Sequence, residues 1–178
     1  VCVRACVCMC VCVCDIGWTM QAAMKLLCGD NTQLLGTSFM YESPAAYVTD
    51  QPPFSNCAIK VSTSLSPEEL LAHAKDVEQQ VGRRHRFRWG PREVDVDIIF
   101  YDNISMLTPD RRLQIPHARA HERDFVLGPM CDMDPLVTHP DRGLSAVVML
   151  DALLGSLQAE RCALTRVLPI TMPKREGG

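Results

Sequence analysis

The sequence predicts an α+β protein with a ferredoxin-like β-α-β-β-α-β order, in which an antiparallel sheet carries helices on one side and further helices follow at the C-terminal end. Two kinds of pattern support this fold class. Residues 32–43, 54–64 and 94–101 are rich in β-branched and aromatic residues, which is typical of strands. Residues 19–27 and 66–82 repeat apolar residues every three or four positions, which is typical of helices.

Composition and charge narrow the range of functions. The 178 residues fit a single domain, and a formal net charge of −3 disfavours a general nucleic-acid binder. No apolar run is long enough to span a bilayer. Most of the cysteines lie near the start of the chain, and the others are scattered singly, as expected for reduced thiols in an intracellular protein. The scattered ones are Cys28, Cys57, Cys131 and Cys162.

Residues 1–14, VCVRACVCMCVCVC, are a low-complexity tract in which valine and cysteine alternate. Side chains alternate between the two faces of a strand, so the tract can supply the first strand with its cysteines on one face. A metal–thiolate site is disfavoured, because zinc sites usually take paired cysteines from separate turns. The repetitive composition and the initial Val favour the hypothesis that the tract is not native coding sequence.

Helix signals are clear at two places. Residues 19–27 end at the turn formers 29–31. Ser66-Pro67-Glu68-Glu69 is a capping box with proline at the first helical position, and it opens a helix that runs to Gly82. The side chains expected to be buried are Met20, Ala23, Met24 and Leu27 in the first helix, and Leu70, Ala74, Val77 and Val81 in the second.

The remaining elements are read from shorter patterns. Strand 32–43 has Leu35, Phe39 and Tyr41 as its apolar markers, and strand 54–64 alternates. Expected after the last strand are a short extended piece at 112–117, a helix from 119 that ends near Gly128-Pro129, a turn at 139–143, a final amphipathic helix at 144–157, and a polar tail or linker from 161.

Residues 83–101 are the most informative stretch. The basic run 83–92 has aromatic and Gly-Pro punctuation and predicts a loop, which leads directly into strand 94–101. Alternation puts Asp95 and Asp97 on one strand face, about 7 Å apart, which is costly without a cation. Oxygen ligands suit Mg²⁺, and arginine pairs with phosphate oxygens. Either half alone is more often a solvated surface, but their adjacency favours a metal and phosphate site.

Trp89-Gly90-Pro91-Arg92-x-x-Asp95-Val96-Asp97-Ile98-Ile99 resembles the defining motif of the 6-hydroxymethyl-7,8-dihydropterin pyrophosphokinase family, and the resemblance runs from about residue 21 to 143. It includes Asp50-Gln51-Pro52-x-Phe54-x-Asn56 and His117-(x5)-Arg123-x-Phe125. The resemblance implies a Mg²⁺-dependent enzyme that transfers the diphosphoryl group of ATP to the hydroxymethyl oxygen of the pterin and leaves AMP.

The resemblance also implies the site residues. Asp95 and Asp97 would hold two Mg²⁺ ions, and Phe54 and Phe125 would stack on the two sides of the pterin while the amide of Asn56 bonds its edge. Catalytic roles are implied for Arg83, Arg92, Asp95 and Asp97. Contacts with ATP are implied for Leu71, Glu78, Arg83, Trp89, Arg92, Ile98, Arg112, His117 and Arg123.

The chain departs from the family pattern at two places. The Gly-Ser-Asn that follows the family's first strand is absent, and residues 11–17 stand there instead. The loop before Trp89 is one residue shorter than usual, which leaves open whether Arg84, His85 or Arg86 takes the second loop-arginine role.

Two other functions are alternatives to the pyrophosphokinase activity. A catalytically impaired pterin- or nucleotide-binding remnant would follow from the altered first loop. A single-strand RNA binder shares the element order, but it requires stacking aromatics on its central strands, where this chain has Asp95 and Asp97.

The predicted organisation is the tract 1–14, a pyrophosphokinase domain at 15–160 and a tail or linker at 161–178. The family is often fused to dihydropteroate synthase, which would follow this tail. Expected partners are the small-molecule substrates, with no nucleic acid and no membrane, and the isolated domain is expected to be a monomer. An intracellular location is expected, either cytoplasmic or organellar (mitochondrial).

Overall fold

Residues 3–11 of the low-complexity tract form an inner strand of the main sheet. The structure, a computed structural model, describes residues 2–11, 16–44, 53–82, 94–156 and 165–169. Its strands are β1 Val3–Val11, β2 Thr32–Thr37, β3 Phe39–Ser43, β4 Phe54–Thr63, β5 Asp95–Tyr101, β6 Met106–Leu107, β7 Gln114–Ile115 and β8 Thr165–Pro169. Its α-helices are α1 Ile16–Leu27, α2 Pro67–Gln80, α3 Asp124–Met133 and α4 Ala146–Gly155, and a 3-10 turn spans Ala120–Glu122.

The main sheet has the strand order β5-β1-β4-β3-β8, and β2 also pairs with β4. Strand β1 is antiparallel to both of its neighbours, β4 and β5. The order of the elements from β1 to β5 is therefore β-α-β-β-α-β once β2 and β3 are counted as one interrupted strand. This confirms the predicted ferredoxin-like antiparallel sheet.

The predicted strand 32–43 is divided at Ser38. The N–H of Ser38 donates to the carbonyl of Ala58 at 2.9 Å, and its hydroxyl accepts from the N–H of Ala58 at 2.9 Å. Both halves pair with β4, so the interruption changes the path of the strand and not its partner. Leu35, expected as an apolar marker, is half-exposed beside a register shift in β2, because no partner on β4 faces it.

Helices cover both faces of the sheet. Helices α1 and α2 pack on the face that carries Val7 and Met9 of β1, whereas α3 and α4 pack on the face that carries Cys6 and Cys8. The alternation predicted for the Val-Cys tract is therefore confirmed for residues 3–11. The predicted C-terminal helices are the ones that close the second face.

Both predicted helices in the first half are confirmed. All four side chains expected on the inner face of α1 are buried. Helix α2 has the predicted capping box: the N–H of Glu69 donates to Ser66 Oγ at 3.3 Å, and the N–H of Ser66 donates to Glu69 Oε2 at 2.7 Å. Gly82 follows the helix with φ +104°, a conformation that glycine adopts readily. Val81 is only half-buried, and Glu78 is buried in addition to the predicted stripe.

Two expectations about the C-terminal half were wrong. The helix expected to end near Gly128-Pro129 continues through Pro129 to Met133. Proline removes one backbone hydrogen bond there, but the burial of Leu127 and Met130 against the sheet offsets that loss. Residues 165–169, within the stretch expected to be a polar tail or linker, form β8 at the edge of the described sheet, antiparallel to β3.

The final helix lies inside its predicted range, and the predicted turn at 139–143 is present. The N–H of His139 donates to the carbonyl of Leu144 at 2.9 Å, and Gly143 has φ +65°. In the part of the chain that the structure describes, no helix is both long enough and apolar enough to cross a membrane.

Candidate active site

Asp95 and Asp97 lie at the start of β5, at the end of the strand order in the described sheet. Val96 and Ile98 are buried in the core on the opposite face, so the two carboxylates share one face as predicted. Both aspartates are partly exposed, and the side chain of Asp95 retains 22% of its accessible surface. The two side chains are thus held by a buried strand but remain open to a ligand.

A row of side chains crosses three strands of this face. Cys10 of β1 is the register partner of Asn56 on β4 and of Asp95 on β5. Cross-strand partners point to the same face, and neighbouring strands lie about 4.8 Å apart, so the backbones of Asn56 and Asp95 are roughly 10 Å apart. This spacing leaves room on one face for a flat ring beside a phosphate.

Helix α2 supports the aspartate strand from the side. The buried carboxylate of Glu78 accepts a hydrogen bond from the N–H of Val96 at 2.8 Å, and its Oε1 lies 2.7 Å from Lys75 Nζ. Lys75 Nζ also lies 3.4 Å from the carbonyl of Val96 and 3.7 Å from Asp95 Oδ1. Burial raises the pKa of Glu78, and the neighbouring Lys75 opposes that rise.

His117 and Arg123 approach the same face from the segment after β7. The N–H of His117 donates to the carbonyl of Ile99 at 3.0 Å, which fixes the histidine beside β5. Burial lowers the pKa of His117, and Arg123 adds to this effect, whereas Asp97 and Asp95 oppose it. His117 therefore lies in the combined field of both aspartates and of Arg123.

Asn56, expected to bind the edge of a flat ring, lies at the far end of this row. Phe54 precedes it by two residues on β4, and Phe125 on α3 packs at the edge of the core that contains Cys6 and Cys8. Asn56 is buried, and its Nδ2 donates to Ser43 Oγ at 2.9 Å and to the carbonyl of Phe54 at 3.3 Å. Its Oδ1 is buried and has no hydrogen-bond partner among the described residues. The guanidinium carbon of Arg123 lies 5.6 Å from the ring centroid of Phe125, a cation–π contact.

Some predicted site residues are not brought to this face. The side chain of Ile98 is buried in the opposite core, and Leu71 packs at the edge of that core. Arg112 is exposed, with its Nε 3.4 Å from Asp110 Oδ2. The residues of the basic loop lie outside the described part of the chain, as does most of the segment that replaces Gly-Ser-Asn: Arg83, Arg84, His85, Arg86, Trp89, Arg92 and 12–15.

Sequence reasoning missed Lys75 and Ser43. The i,i+3 spacing of Lys75 and Glu78 on a helix is a detectable ion-pair signal, and it could have drawn attention to Lys75. Nothing local indicates that Ser43 orients Asn56, because the two residues lie on different strands.

The donor set constrains which metal the site can hold. Among the described residues, no three His, Cys, Asp or Glu side chains are arranged to hold a metal ion. A closed zinc site is therefore not present in the described ranges. Two carboxylates on one face fit Mg²⁺, which usually takes one or two protein carboxylates and completes its coordination with water and substrate phosphates.

Comparison with known proteins points to one family. Residues 13–135 match the family model for 7,8-dihydro-6-hydroxymethylpterin-pyrophosphokinase. A folic acid synthesis protein of Dictyostelium discoideum is 50% identical over 104 residues, which are 58% of this chain and 16% of that protein. The 2-amino-4-hydroxy-6-hydroxymethyldihydropteridine pyrophosphokinase of Aquifex aeolicus is 44% identical over 103 residues, 58% of this chain and 63% of the relative. The chain thus spans less than two thirds of the length of either relative.

A solved structure agrees with the fold. The crystal structure of a Plasmodium falciparum HPPK-DHPS protein superposes with a TM-score of 0.72 and covers 89% of this chain and 45% of the other. The sequence identity is 13%, so this similarity concerns the fold alone.

Proposed function

The chain belongs to the 7,8-dihydro-6-hydroxymethylpterin-pyrophosphokinase family, and we propose that it transfers the diphosphoryl group of ATP to 6-hydroxymethyl-7,8-dihydropterin, giving the pterin diphosphate and AMP in folate synthesis. The observation that carries this proposal is the row from Asn56 through Cys10 to Asp95. It puts a buried amide acceptor and a pair of carboxylates on one sheet face, roughly two strand spacings apart.

Asp95 and Asp97 hold Mg²⁺ in this proposal. Bound Mg²⁺ would neutralise the phosphate charge that develops during transfer. The contribution of the chain is geometric, because the buried side chains of Val96 and Ile98 keep both carboxylates on the same face. The bond from the N–H of Val96 to Glu78 then fixes the strand between them.

His117 and Arg123 bind the phosphates. Transfer of a phosphoryl group relies on positioning and charge neutralisation more than on covalent chemistry by the protein. The guanidinium of Arg123 can pair bidentately with phosphate oxygens. Burial favours the neutral form of His117, which can donate one hydrogen bond to a phosphate oxygen. The negative charge of a bound phosphate would favour protonation of the imidazole. The loop residues Arg83 and Arg92 keep their predicted catalytic role.

Asn56, Phe54 and Phe125 bind the pterin. A pterin edge carries N–H donors, and the free Oδ1 of Asn56 is a buried acceptor whose partner a pterin N–H would supply. Ser43 and the carbonyl of Phe54 hold the other end of the amide, so Oδ1 keeps its direction. Phe125 is already oriented by its contact with Arg123. In this arrangement the hydroxymethyl group of the pterin would lie beside the phosphates.

The replacement of Asp97 by Asn tests the proposal. The substitution keeps the shape of the side chain and removes one metal-binding charge, so AMP formation from ATP and the dihydropterin should fall at least ~100-fold. Asp151→Asn, at an exposed position on α4, is the matched control and should leave turnover unchanged. Turnover of the Asp97 variant within a few-fold of the parent, with Mg²⁺ saturating, would rule out this metal site.

A larger assembly is part of the proposal. The Plasmodium falciparum structure is described as an HPPK-DHPS protein, and this chain covers 45% of its length. We therefore propose that this chain works next to a dihydropteroate synthase, fused or separate, in the cytoplasm or the mitochondrion. Co-purification of the two activities from cells would support this arrangement.

A further inference from the structure

The ammonium group of Lys75 lies beside the carboxylate of Asp95, a proposed metal ligand. Its Nζ lies 3.7 Å from Asp95 Oδ1, 2.7 Å from Glu78 Oε1 and 3.4 Å from the carbonyl of Val96. All three contacts are to oxygen atoms, and two of them belong to carboxylates. Lys75 thus has the environment that a cation prefers.

We infer that Lys75 is an internal counter-ion of Asp95 and that a divalent cation must displace it, so that the metal binds weakly unless the nucleotide accompanies it. The inference rests on the proposed metal role of Asp95. A positive charge within 4 Å of a metal-binding carboxylate opposes the arrival of a second cation. The polyphosphate of a nucleotide brings negative charge that compensates for both positive charges, that of the metal ion and that of the lysine.

Lys75 is suited to such a reversible contact. Its side chain is 42% exposed, so the ammonium group can move into solvent when Asp95 takes a metal. Glu78 is almost completely buried and holds Lys75 at a shorter distance than Asp95 does. The lysine therefore stays anchored to α2 while its longer contact, the one to Asp95, is the one that breaks. This makes Lys75 a positioning residue for metal binding rather than a catalytic one.

The test measures the binding of Mn²⁺ alone to the full chain, without nucleotide, from the electron paramagnetic resonance signal of the free ion. Mn²⁺ prefers the same oxygen ligands as Mg²⁺. Lys75→Met removes the charge and keeps the length of the side chain, and Lys75→Gln also keeps a donor for Glu78. Lys75→Arg keeps the charge, and Lys25→Met removes an exposed lysine of α1 as the matched control. Asp95→Asn identifies the binding measured as that of this site.

Either neutral variant that folds, as judged by its thermal melt, should bind Mn²⁺ about tenfold more tightly than the parent. Lys75→Arg and Lys25→Met should bind Mn²⁺ as the parent does. Asp95→Asn, combined with a neutral Lys75 variant, should abolish the gain in Mn²⁺ affinity. Equal or weaker binding by a folded neutral variant would overturn the inference. The proposed function fails separately if the parent binds no Mn²⁺ even when a non-hydrolysable ATP analogue is present.

Discussion

Glu78 and Val96 are joined by a hydrogen bond of 2.8 Å from the backbone N–H of Val96 to Glu78 Oε1. Val96 is the residue between the two aspartates, and its side chain is buried on the other face. One buried carboxylate on α2 thus fixes the strand edge that carries the proposed metal ligands. The same carboxylate binds the ammonium group of Lys75, which lies near Asp95. Glu78 therefore both supports the strand and positions the positive charge beside it.

Glu78→Ala should destabilise the protein by about 2 kcal/mol, because the N–H of Val96 is left without its buried acceptor. Glu78→Gln should cost less, since its amide oxygen can still accept that bond. Urea unfolding measures both values. Gln79→Ala, at the exposed neighbouring position on α2, should change the free energy of unfolding by less than about 0.5 kcal/mol. Equal effects of Glu78→Ala and Gln79→Ala would show that the Glu78–Val96 bond contributes nothing.

Asn56→Ala should raise the KM for the dihydropterin ~30-fold, on the scale of one lost buried hydrogen bond, and leave the affinity for nucleotide unchanged. The reason is that Oδ1 of Asn56 is buried without a hydrogen-bond partner in the described ranges. Asn56 lies on the same sheet face as Asp95 but two strands away from it. Steady-state kinetics with each substrate varied in turn measures the two effects. Ser43→Ala, which removes only the bond that orients the amide, should have a smaller effect in the same direction. A loss of nucleotide affinity with normal pterin KM would contradict this role for Asn56.

Lowering the pH from 7.5 to 5.5 should reduce the free energy of unfolding, and His139→Gln should make the reduction smaller. Burial lowers the pKa of His139 below its usual 6.5, and Arg142 and His121 add to that effect while Asp141 opposes it. A histidine with a lowered pKa in the folded state binds fewer protons there than in the unfolded chain. Its contribution to stability is therefore complete above pH 6.5 and is lost as the pH falls through the folded pKa.

His121 belongs to the same cluster, since its Nε2 lies 2.6 Å from Arg142 Nη2 and its ring meets that of His139 edge-on. Burial and Arg142 lower the pKa of His121, whereas Glu122 raises it. Urea unfolding of the parent and the His139 variant at both pH values gives the two slopes. If the parent were equally stable at pH 7.5 and 5.5, the buried environment of the two histidines would be wrong.

The parts of the fold that local chemistry determines were predictable from the sequence. The capping box at Ser66 and Glu69 is a contact between residues three positions apart, and the inner face of α1 follows from helical spacing alone. The shared face of Asp95 and Asp97 follows from strand alternation in the same way. These features need no knowledge of the rest of the chain.

Features that depend on distant partners were missed. The break at Ser38 follows from two hydrogen bonds to Ala58, and β8 exists as a strand because it pairs with β3, more than a hundred residues earlier in the sequence. The role of Lys75 depends on Asp95, which lies on another element. No local pattern encodes any of these contacts, and the same reason explains why the shared face of the two aspartates could be predicted but the contacts around it could not.

The Val-Cys tract is the place where the sequence favours a non-native segment over a native first strand. The structure places residues 3–11 between β4 and β5, with Met9 fully buried against α1 and α2. On the other face, burial raises the pKa of Cys6 to about 12. Cys2, just before the strand, is exposed. The two thiols should therefore differ strongly in reactivity if the tract is an inner strand.

Met9→Ala should lower the free energy of unfolding by about 3 kcal/mol, because it opens a cavity in the core between β1 and the helices α1 and α2. Cys2→Ala is the matched control and should have little effect, since that side chain contacts solvent. In the native protein at pH 8, Cys2 should react readily with a disulfide reagent, whereas Cys6 should react only after unfolding, because it is both shielded and protonated. If Met9→Ala were as harmless as Cys2→Ala and both thiols reacted alike, residues 3–11 would not be the strand that holds Asn56 and Asp95 in one row.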